Sequence, residues 1–365
     1  MVEGGSAASA ARSATAPGLR VVFLGTPQFA VPTLRALVDS RHTVCGVVTQ
    51  PDRPRGRGQK ISNAPVKILA LERQLPIFQP ERLRDPRVAE ALRGWSPDIG
   101  VVAAYGKLIP EDLLAVPRLG MINVHASLLP RLRGAAPVHR AVIDGALQTG
   151  ITIMRVEKNL DAGGMFARVR RPIGPDETSD VVERDLASMG AALLVDVIEQ
   201  IAAGTAVEEP QDYMFATYAP RLTKEEGLLD WSLPASFVHN RVRGLHPWPH
   251  AHTFLDGKRL ILLKTRVVPS PADPAIEAGE KAGPTPGTVL TADNGGIQVA
   301  TGHGGRVEIL ELQAEGRRPM QVREFLAGHH VAPGTILGGR GDVPGPERRS
   351  GEPIRRGGSG NREGG

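Results

Sequence analysis

One cysteine, Cys45, serves a chain of 365 residues. That excludes an internal disulfide framework and a cysteine-held zinc site, and it suits a reducing compartment. Cys45 sits inside the apolar run Val44–Val48, the surroundings of a core thiol rather than of a nucleophile. No Gly-x-Ser-x-Gly elbow occurs anywhere, so direct transfer between substrates is favoured over a covalent enzyme intermediate. The dinucleotide fingerprint is missing as well. Thr26, Pro27, Gln28 and Phe29 follow Gly25, and without Gly-x-Gly-x-x-Gly a pyrophosphate finds no close approach to a helix N-terminus. Aromatic residues make up only 4% of the chain, leaving few rings on which bases stack, so any RNA contact would lean on charge. No uninterrupted run approaches the roughly 18 apolar residues that span a bilayer, and the N-terminus has no apolar signal core. A soluble, cytoplasmic protein with no membrane partner is expected.

What is present is an aliphatic interior with a modest basic excess. Hydrophobic residues make up 41%, the formal charge is +5 and the pI is near 9.6. This balance is compatible with a phosphate-rich partner without identifying one. The length suggests two domains. Short apolar runs at Val21–Leu24, Val44–Thr49, Ile99–Ala103 and Met121–His125 read as buried strands. They alternate with a helix reaching about Ser40 and with helical patterns at Val66–Gln74, Pro86–Arg93 and Ala136–Asp144. Strand alternating with helix predicts an α/β fold with a doubly wound, mostly parallel, Rossmann-like sheet whose ligands bind beyond the carboxyl ends of the strands. A long amphipathic helix over Asp180–Ala203 closes this unit. Beyond it, runs at Arg259–Val268, Gly287–Leu290, Ile297–Ala300 and Val307–Leu312, separated by Gly, Pro, Asp and Asn, predict a small antiparallel β-barrel. The expected partition is a disordered extension over 1–18, a catalytic domain over 19–204, a linker over 205–224, a second domain over 225–339 and a disordered tail over 340–365. A loop insertion is expected over 269–286.

The chemistry gathers between Asn123 and Gly163. Asn123 and His125 are two apart on the strand Met121–His125, so their side chains leave the same face. With Asp161 arriving from a later turn, this is the minimum equipment for attack of an amine on a carbonyl. Asn123 would donate to the oxyanion, His125 would shuttle the proton, and Asp161 would hold the imidazole and fix its tautomer. A bare Asn-x-His is equally readable as a strand end satisfying nearby backbone. Its company tips the balance: Ser127-Leu128-Leu129-Pro130-Arg131-Leu132-Arg133-Gly134-Ala135-Ala136-Pro137, then Leu160-Asp161-Ala162-Gly163-Gly164.

Further stretches follow in register: Gly25-Thr26-Pro27, Gln50-Pro51-Asp52-Arg53-Pro54, Ala104-Tyr105-Gly106-Lys107 and Arg221-Leu222-Thr223-Lys224-Glu225-Glu226-Gly227. With these, from Arg20 to about Gly339, the chain resembles the methionyl-tRNA formyltransferases. The resemblance implies transfer of the formyl group of 10-formyltetrahydrofolate to the amino group of initiator methionyl-tRNA, for translation initiation, with no metal required. It implies catalytic roles for Asn123, His125 and Asp161, folate contact by Ser127, Leu128, Leu129 and Pro130, and an OB-like form for the second domain. Leu132 stands where relatives carry an aromatic residue.

A cluster such as Arg53, Arg55, Arg57 and Lys60 is by itself a solvated loop. The resemblance implies instead that this loop enters the acceptor end of the tRNA, with Arg241, Arg243, Arg317 and Arg318 as further candidates on the barrel. A monomeric enzyme is expected. His239, His246, His250 and His252 surround Pro247-Trp248-Pro249, but they match no helical ligand pair and read as a structural turn. Two alternatives stay open. A sister enzyme could formylate a small amine or hydrolyse the formyl group, against which the second domain and the basic loop argue. A non-catalytic RNA-binding protein would have no use for the Asn, His and Asp together.

Overall fold

In a computed structural model of the protein, residues 17–55, 60–269, 283–293 and 295–338 are described. The first unit is built on β1 (Arg20–Gly25), α1 (Val31–Val38), β2 (Thr43–Val48), the short pair β3 (Arg53–Arg55) and β4 (Lys60–Ser62), α2 (Pro65–Glu72), β5 (Ile77–Phe78) and α3 (Pro86–Trp95). It continues through β6 (Ile99–Ala103), α4 (Glu111–Leu114), β7 (Met121–His125), β8 (Arg133–Gly134), α5 (Pro137–Ile143), β9 (Gln148–Arg155), β10 (Met165–Pro172) and α6 (Ser179–Ala203). Its seven-stranded sheet has the order β10-β9-β7-β6-β1-β2-β5. The strands from β7 to β5 run parallel, and β9 and β10 are antiparallel additions at one edge. The chain builds outward from β1 through β2 to β5, then returns to lay β6 and β7 on the other side of β1. Such a reversal opens a crevice above the carboxyl ends of β1 and β6.

Burial on both faces explains the unbroken apolar strands. In β1 and β2 every residue after the first is buried, as a parallel sheet with helices on both sides requires. One face packs Phe23, Val101, Val124 and Ile151 under α1, α5 and α6. The other packs Val22, Leu24, Val102 and Met121 under α3 and α4. Cys45 belongs to that second face, and burial pushes its thiol up. The β9–β10 hairpin is absent from the strands expected above. In β10 the sequence Met-Phe-Ala-Arg-Val-Arg-Arg-Pro keeps only Met165 and Arg171 buried, because an edge strand has no neighbour to demand an apolar signature.

Charged residues such as Asp196 and Glu199 interrupt the apolar stretches of α6. By length and composition α6 is apolar enough to cross a membrane. Val182, Leu186, Leu194, Val197 and Ile198 are buried in the core beneath the sheet, and such packing gives a core helix the same composition.

The second unit follows β11 (Tyr218–Ala219). It contains α7 (Ala235–Gly244), β12 (Ala251–Leu255), β13 (Lys258–Val268), β14 (Val289–Asp293), β15 (Gly296–Ala300), β16 (Arg306–Ala314), β17 (Met320–Gln321) and α8 (Val322–Leu326). Its antiparallel sheet, in the order β12-β13-β16-β15-β14 with β17 on β16, wraps a separate core that includes Trp231, Val238, Leu262, Val299 and Phe325. The extension up to residue 16, Arg57, most of the 269–286 loop and the tail from 339 fall outside the described residues.

A charged joint links the two units. Arg171, at the end of β10, bonds both oxygens of Glu177 at 2.9 and 2.7 Å and also pairs with Asp185. Arg243 on α7 donates to the carbonyls of Gly174 and Glu177. The guanidinium of Arg171 and the Gly174 N–H hold the Glu177 carboxyl down to about 2. Because the folded state depresses this pKa, the stabilisation is full above the usual carboxylate range and fades as pH falls from about 4.5 toward 2. Glu177→Gln is expected to cost about 1.5–3 kcal/mol at pH 7, a deficit that shrinks below pH 4.5. Denaturant unfolding at pH 7 and pH 3 checks this; an unchanged deficit at the lower pH would contradict it.

Candidate active site

The crevice holds a cavity of about 570 Å³. Three strand ends and the segments that leave them form its wall: Pro27 and Phe29 after β1, Ala104–Ile109 after β6, and Asn123 and His125 on β7, with Asp161 from the loop after β9. Gly25 is needed where β1 turns, since a Cβ there would lie 2.9 Å from both the Ala103 carbonyl oxygen and the Ala30 Cβ. Most of the wall is apolar or backbone. Burial raises the Tyr105 phenol to about 12 and keeps it neutral, and burial also pushes the Glu183 carboxyl on α6 above its ordinary range.

The three expected catalytic residues meet here. Asn123 is half-buried on the cavity wall, and its amide bonds no other group among the described residues. His125 is buried and held from one side: its Nε2 lies 3.1 Å from the Leu132 carbonyl oxygen. A carbonyl only accepts, so Nε2 carries the hydrogen and Nδ1 is left to take and give a proton. Asp161 Oδ2 lies 3.6 Å from Nδ1, beyond a hydrogen bond, and accepts the Gly134 N–H at 2.8 Å instead. This corrects the expectation that Asp161 fixes the tautomer. The Leu132 carbonyl does so, while the Asp161 carboxyl group faces Nδ1.

Leu132 and Asp161 both adopt left-handed backbone, φ 58° and 49°, and so does Ala104 at 45°. For residues other than glycine this costs on the order of 1–3 kcal/mol each. Here it turns the Leu132 carbonyl toward His125 and the Asp161 carboxylate toward Gly134. The contact of position 132 with His125 is thus made by its backbone carbonyl and not by its side chain.

Ser127, Leu128, Leu129 and Pro130 do not line the cavity. They shape the turn that follows His125. Ser127 Oγ donates to the Arg131 carbonyl at 2.6 Å, Thr152 Oγ1 donates to the Ser127 carbonyl at 2.7 Å, and the Leu129 N–H donates back to that hydroxyl at 3.1 Å. Leu129 is buried against Met154 and Met165. Ser127 and Leu129 are buried, whereas Leu128 and Pro130 are partly exposed.

The sequence reading missed Gln211, which is buried in the presumed linker. Its Nε2 donates to the carbonyls of Asp161 and Gly163 at 2.9 and 2.7 Å, and its Oε1 accepts two bonds from Arg133 at 3.1 and 2.7 Å. One glutamine thus ties the Asp161 loop to the loop carrying Leu132. No local pattern marks it, because both partners lie about 50 or more residues away in sequence.

Among the basic candidates, Arg53 pairs with Ser62 and Arg55 with Lys60 in the register of β3 and β4. Arg243 is buried and spent on the inter-unit joint, which removes it from any RNA-facing surface. Arg241 donates to the Glu226 carbonyl, and Arg318 pairs with Glu324 on an exposed face. His239 places Nδ1 3.0 Å from Thr265 Oγ1 and Nε2 2.9 Å from the Pro175 carbonyl. Among the described residues no group of three or more His, Cys, Asp or Glu is arranged to hold a metal.

Comparison with known proteins decides the family. The Formyl transferase profile matches residues 19–198, and the Formyl transferase C-terminal domain profile matches 221–330. A methionyl-tRNA formyltransferase from Geobacter sulfurreducens is 46% identical over 326 residues, covering 89% of this chain and 99% of the relative. The chain belongs to the methionyl-tRNA formyltransferase family. Another formyltransferase of the same name, from Methylococcus capsulatus, is 45% identical over 320 residues, covering 88% of this chain and all of its own. In fold, this formyltransferase resembles a sugar 3N-formyl transferase crystallised with dTDP and 5-N-formyl-THF (TM-score 0.60, 14% identity, 82% of this chain and 99% of that one). It also resembles HypX from Aquifex aeolicus with tetrahydrofolic acid (TM-score 0.54, 16% identity, 84% and 47%).

Proposed function

We propose that the chain transfers the formyl group of 10-formyltetrahydrofolate to the α-amino group of initiator methionyl-tRNA, as a cytoplasmic, monomeric enzyme of translation initiation. The observation that carries this reading is the likeness at 46% identity across 89% of the chain, spanning both units. A sugar 3N-formyl transferase, which would speak for the small-amine alternative, shares only 14% of residues. The partition proposed is a catalytic unit over 19–204, a linker over 205–224 and a tRNA-contacting unit over 225–339.

The proposed roles follow from the geometry. The neutral amine attacks the formyl carbon, and the carbonyl electron pair moves to oxygen. The free amide of Asn123 donates to that oxyanion as it forms. Nδ1 of His125 relays the proton released from the attacking nitrogen to the departing folate N10, with the Asp161 charge beside it. Collapse restores the carbonyl as an amide and leaves tetrahydrofolate. The apolar side chains of Ala104, Leu108 and Ile109 on the cavity wall suit a flat pterin ring, and Ser127, Leu128, Leu129 and Pro130 are proposed to contact the folate from the turn they fold. The deciding experiment follows labelled formyl onto methionine-charged initiator tRNA, with free methionine and a small sugar amine as competitors. Label on the small amine alone would overturn the reading.

The basic segment carries a separate prediction. Arg53, Arg55, Arg57 and Lys60 are proposed to contact tRNA phosphates, an interaction that weakens steeply with salt. Arg55→Ala is expected to raise the apparent KM for charged tRNA several-fold while the KM for 10-formyltetrahydrofolate stays constant. Steady-state titration of each substrate at two salt concentrations tests it, and unchanged tRNA saturation would refute it.

A further inference from the structure

Rings are scarce in this chain, which has 8 Phe, 3 Tyr and 3 Trp. Yet Tyr213, Phe215 and Tyr218, with Met214 between them, stand 64–87% exposed within six residues. The turn Tyr213–Phe215 buries none of its side chains, so the core has no claim on it. The segment is also bound to the candidate site. The Leu132 N–H donates to Thr217 Oγ1 at 2.9 Å, the Arg133 N–H donates to the Thr217 carbonyl at 2.8 Å, and Tyr218 pairs with Arg133 in the β8–β11 ladder. Leu132 is the residue whose carbonyl holds His125. The rings are therefore one strand pairing from the catalytic imidazole.

Positive charge accompanies them. The buried Arg133 guanidinium, held by Gln211, backs one face of the Tyr213 ring 4.8 Å from its centroid, and the ring is otherwise exposed. Arg131 is exposed two residues before it, and Arg221, three residues after Tyr218, is exposed on the cavity wall. Exposed rings interleaved with arginines are the surface that unpaired nucleotides prefer: the bases stack on the rings and the phosphates meet the cations.

We propose that Tyr213, Phe215 and Tyr218 form a stacking platform for the unpaired 3′ nucleotides of the aminoacylated RNA, guiding the terminal ester toward His125. The inference rests on the RNA substrate read above. It also explains how a chain poor in aromatics can grip single-stranded RNA, by concentrating the rings it has at the site's edge. In a duplex the base faces are stacked on one another and only the terminal pair shows one; a single strand presents several.

The test uses the full chain and a fluorescent RNA hairpin ending either in a four-nucleotide 3′ overhang or blunt. The wild type is expected to prefer the overhang, and Phe215→Ala with Tyr218→Ala to weaken overhang binding roughly 5- to 100-fold, leaving blunt-end binding and the thermal midpoint unchanged. Tyr218→Trp should restore the preference where Tyr218→Leu does not, since stacking needs a ring. Retention of the full preference by the double variant would overturn the proposal. So would a wild-type dimer in sedimentation that the variant converts to monomer, because the patch would then be an interface between copies. A wild type that formylates charged tRNA without any overhang preference would overturn the platform alone, whereas one that neither formylates nor binds RNA would overturn the reading beneath it.

Discussion

Asn123→Ala is expected to lower kcat for formyl transfer by about 100- to 1000-fold, the usual effect of losing an oxyanion donor. Binding of 10-formyltetrahydrofolate should be unchanged. The asymmetry follows from the site. The amide of Asn123 has no hydrogen-bond partner among the described residues and faces the cavity, so removing it breaks nothing within the fold. Its strand is secured independently by backbone ladders to β6 and β9, in which Asn123 opposes Val102 and Met154. The ground-state formyl carbonyl is neutral and asks little of a donor, whereas the tetrahedral oxyanion asks a great deal. The loss should therefore appear in the rate of the chemical step and not in the affinity. Single-turnover kinetics with saturating folate, beside equilibrium folate titration, separates the two. A variant that loses folate affinity in proportion to rate would show that Asn123 binds substrate rather than transition state.

The sequence disclosed most where one residue's role depends on its immediate neighbours. The parallel strands were legible because burial on both faces leaves runs such as Val21–Leu24 unbroken. Asn123 and His125 were legible because strand alternation ties their directions. What stayed hidden depends on partners far along the chain. Leu132 was noted only as an unusual side chain, yet its function resides in its carbonyl, to which side-chain identity is blind. Gln211 closes contacts to Asp161 and Arg133 across 50 and 78 residues, and a lone polar residue in a Pro- and Gly-bounded connector carries no signature of that. Arg243 was read from its charge as a surface residue, but its fixed cation satisfies carbonyls at a buried joint. The exposed rings at 213–218 escaped notice because overall composition averages over a local concentration.

Two substitutions at Asp161 should separate its two roles. Oδ2 accepts the Gly134 N–H and faces Nδ1 of His125 at 3.6 Å. Asp161→Asn keeps an acceptor for Gly134 and tolerates the left-handed backbone at φ 49° better than most residues, so the loop should persist and the thermal midpoint should hold. The negative charge is lost, however, and the new amide can donate to Nδ1 and block the nitrogen that must take the proton. The expected loss in kcat is about 100- to 10,000-fold, the range for removing acid–base function. Asp161→Ala should lose as much rate. In addition it strands the Gly134 N–H and leaves an alanine in strained backbone, for an added cost of about 1–3 kcal/mol in unfolding free energy. Gly134 is held in place by its pairing with Ala219 in the β8–β11 ladder. Stopped formylation with a native melting curve in the Asn variant, beside a lowered one in the Ala variant, is the expected pattern. An Asn variant within tenfold of the wild-type rate would mean that the turn, and not the charge, is what His125 needs from Asp161.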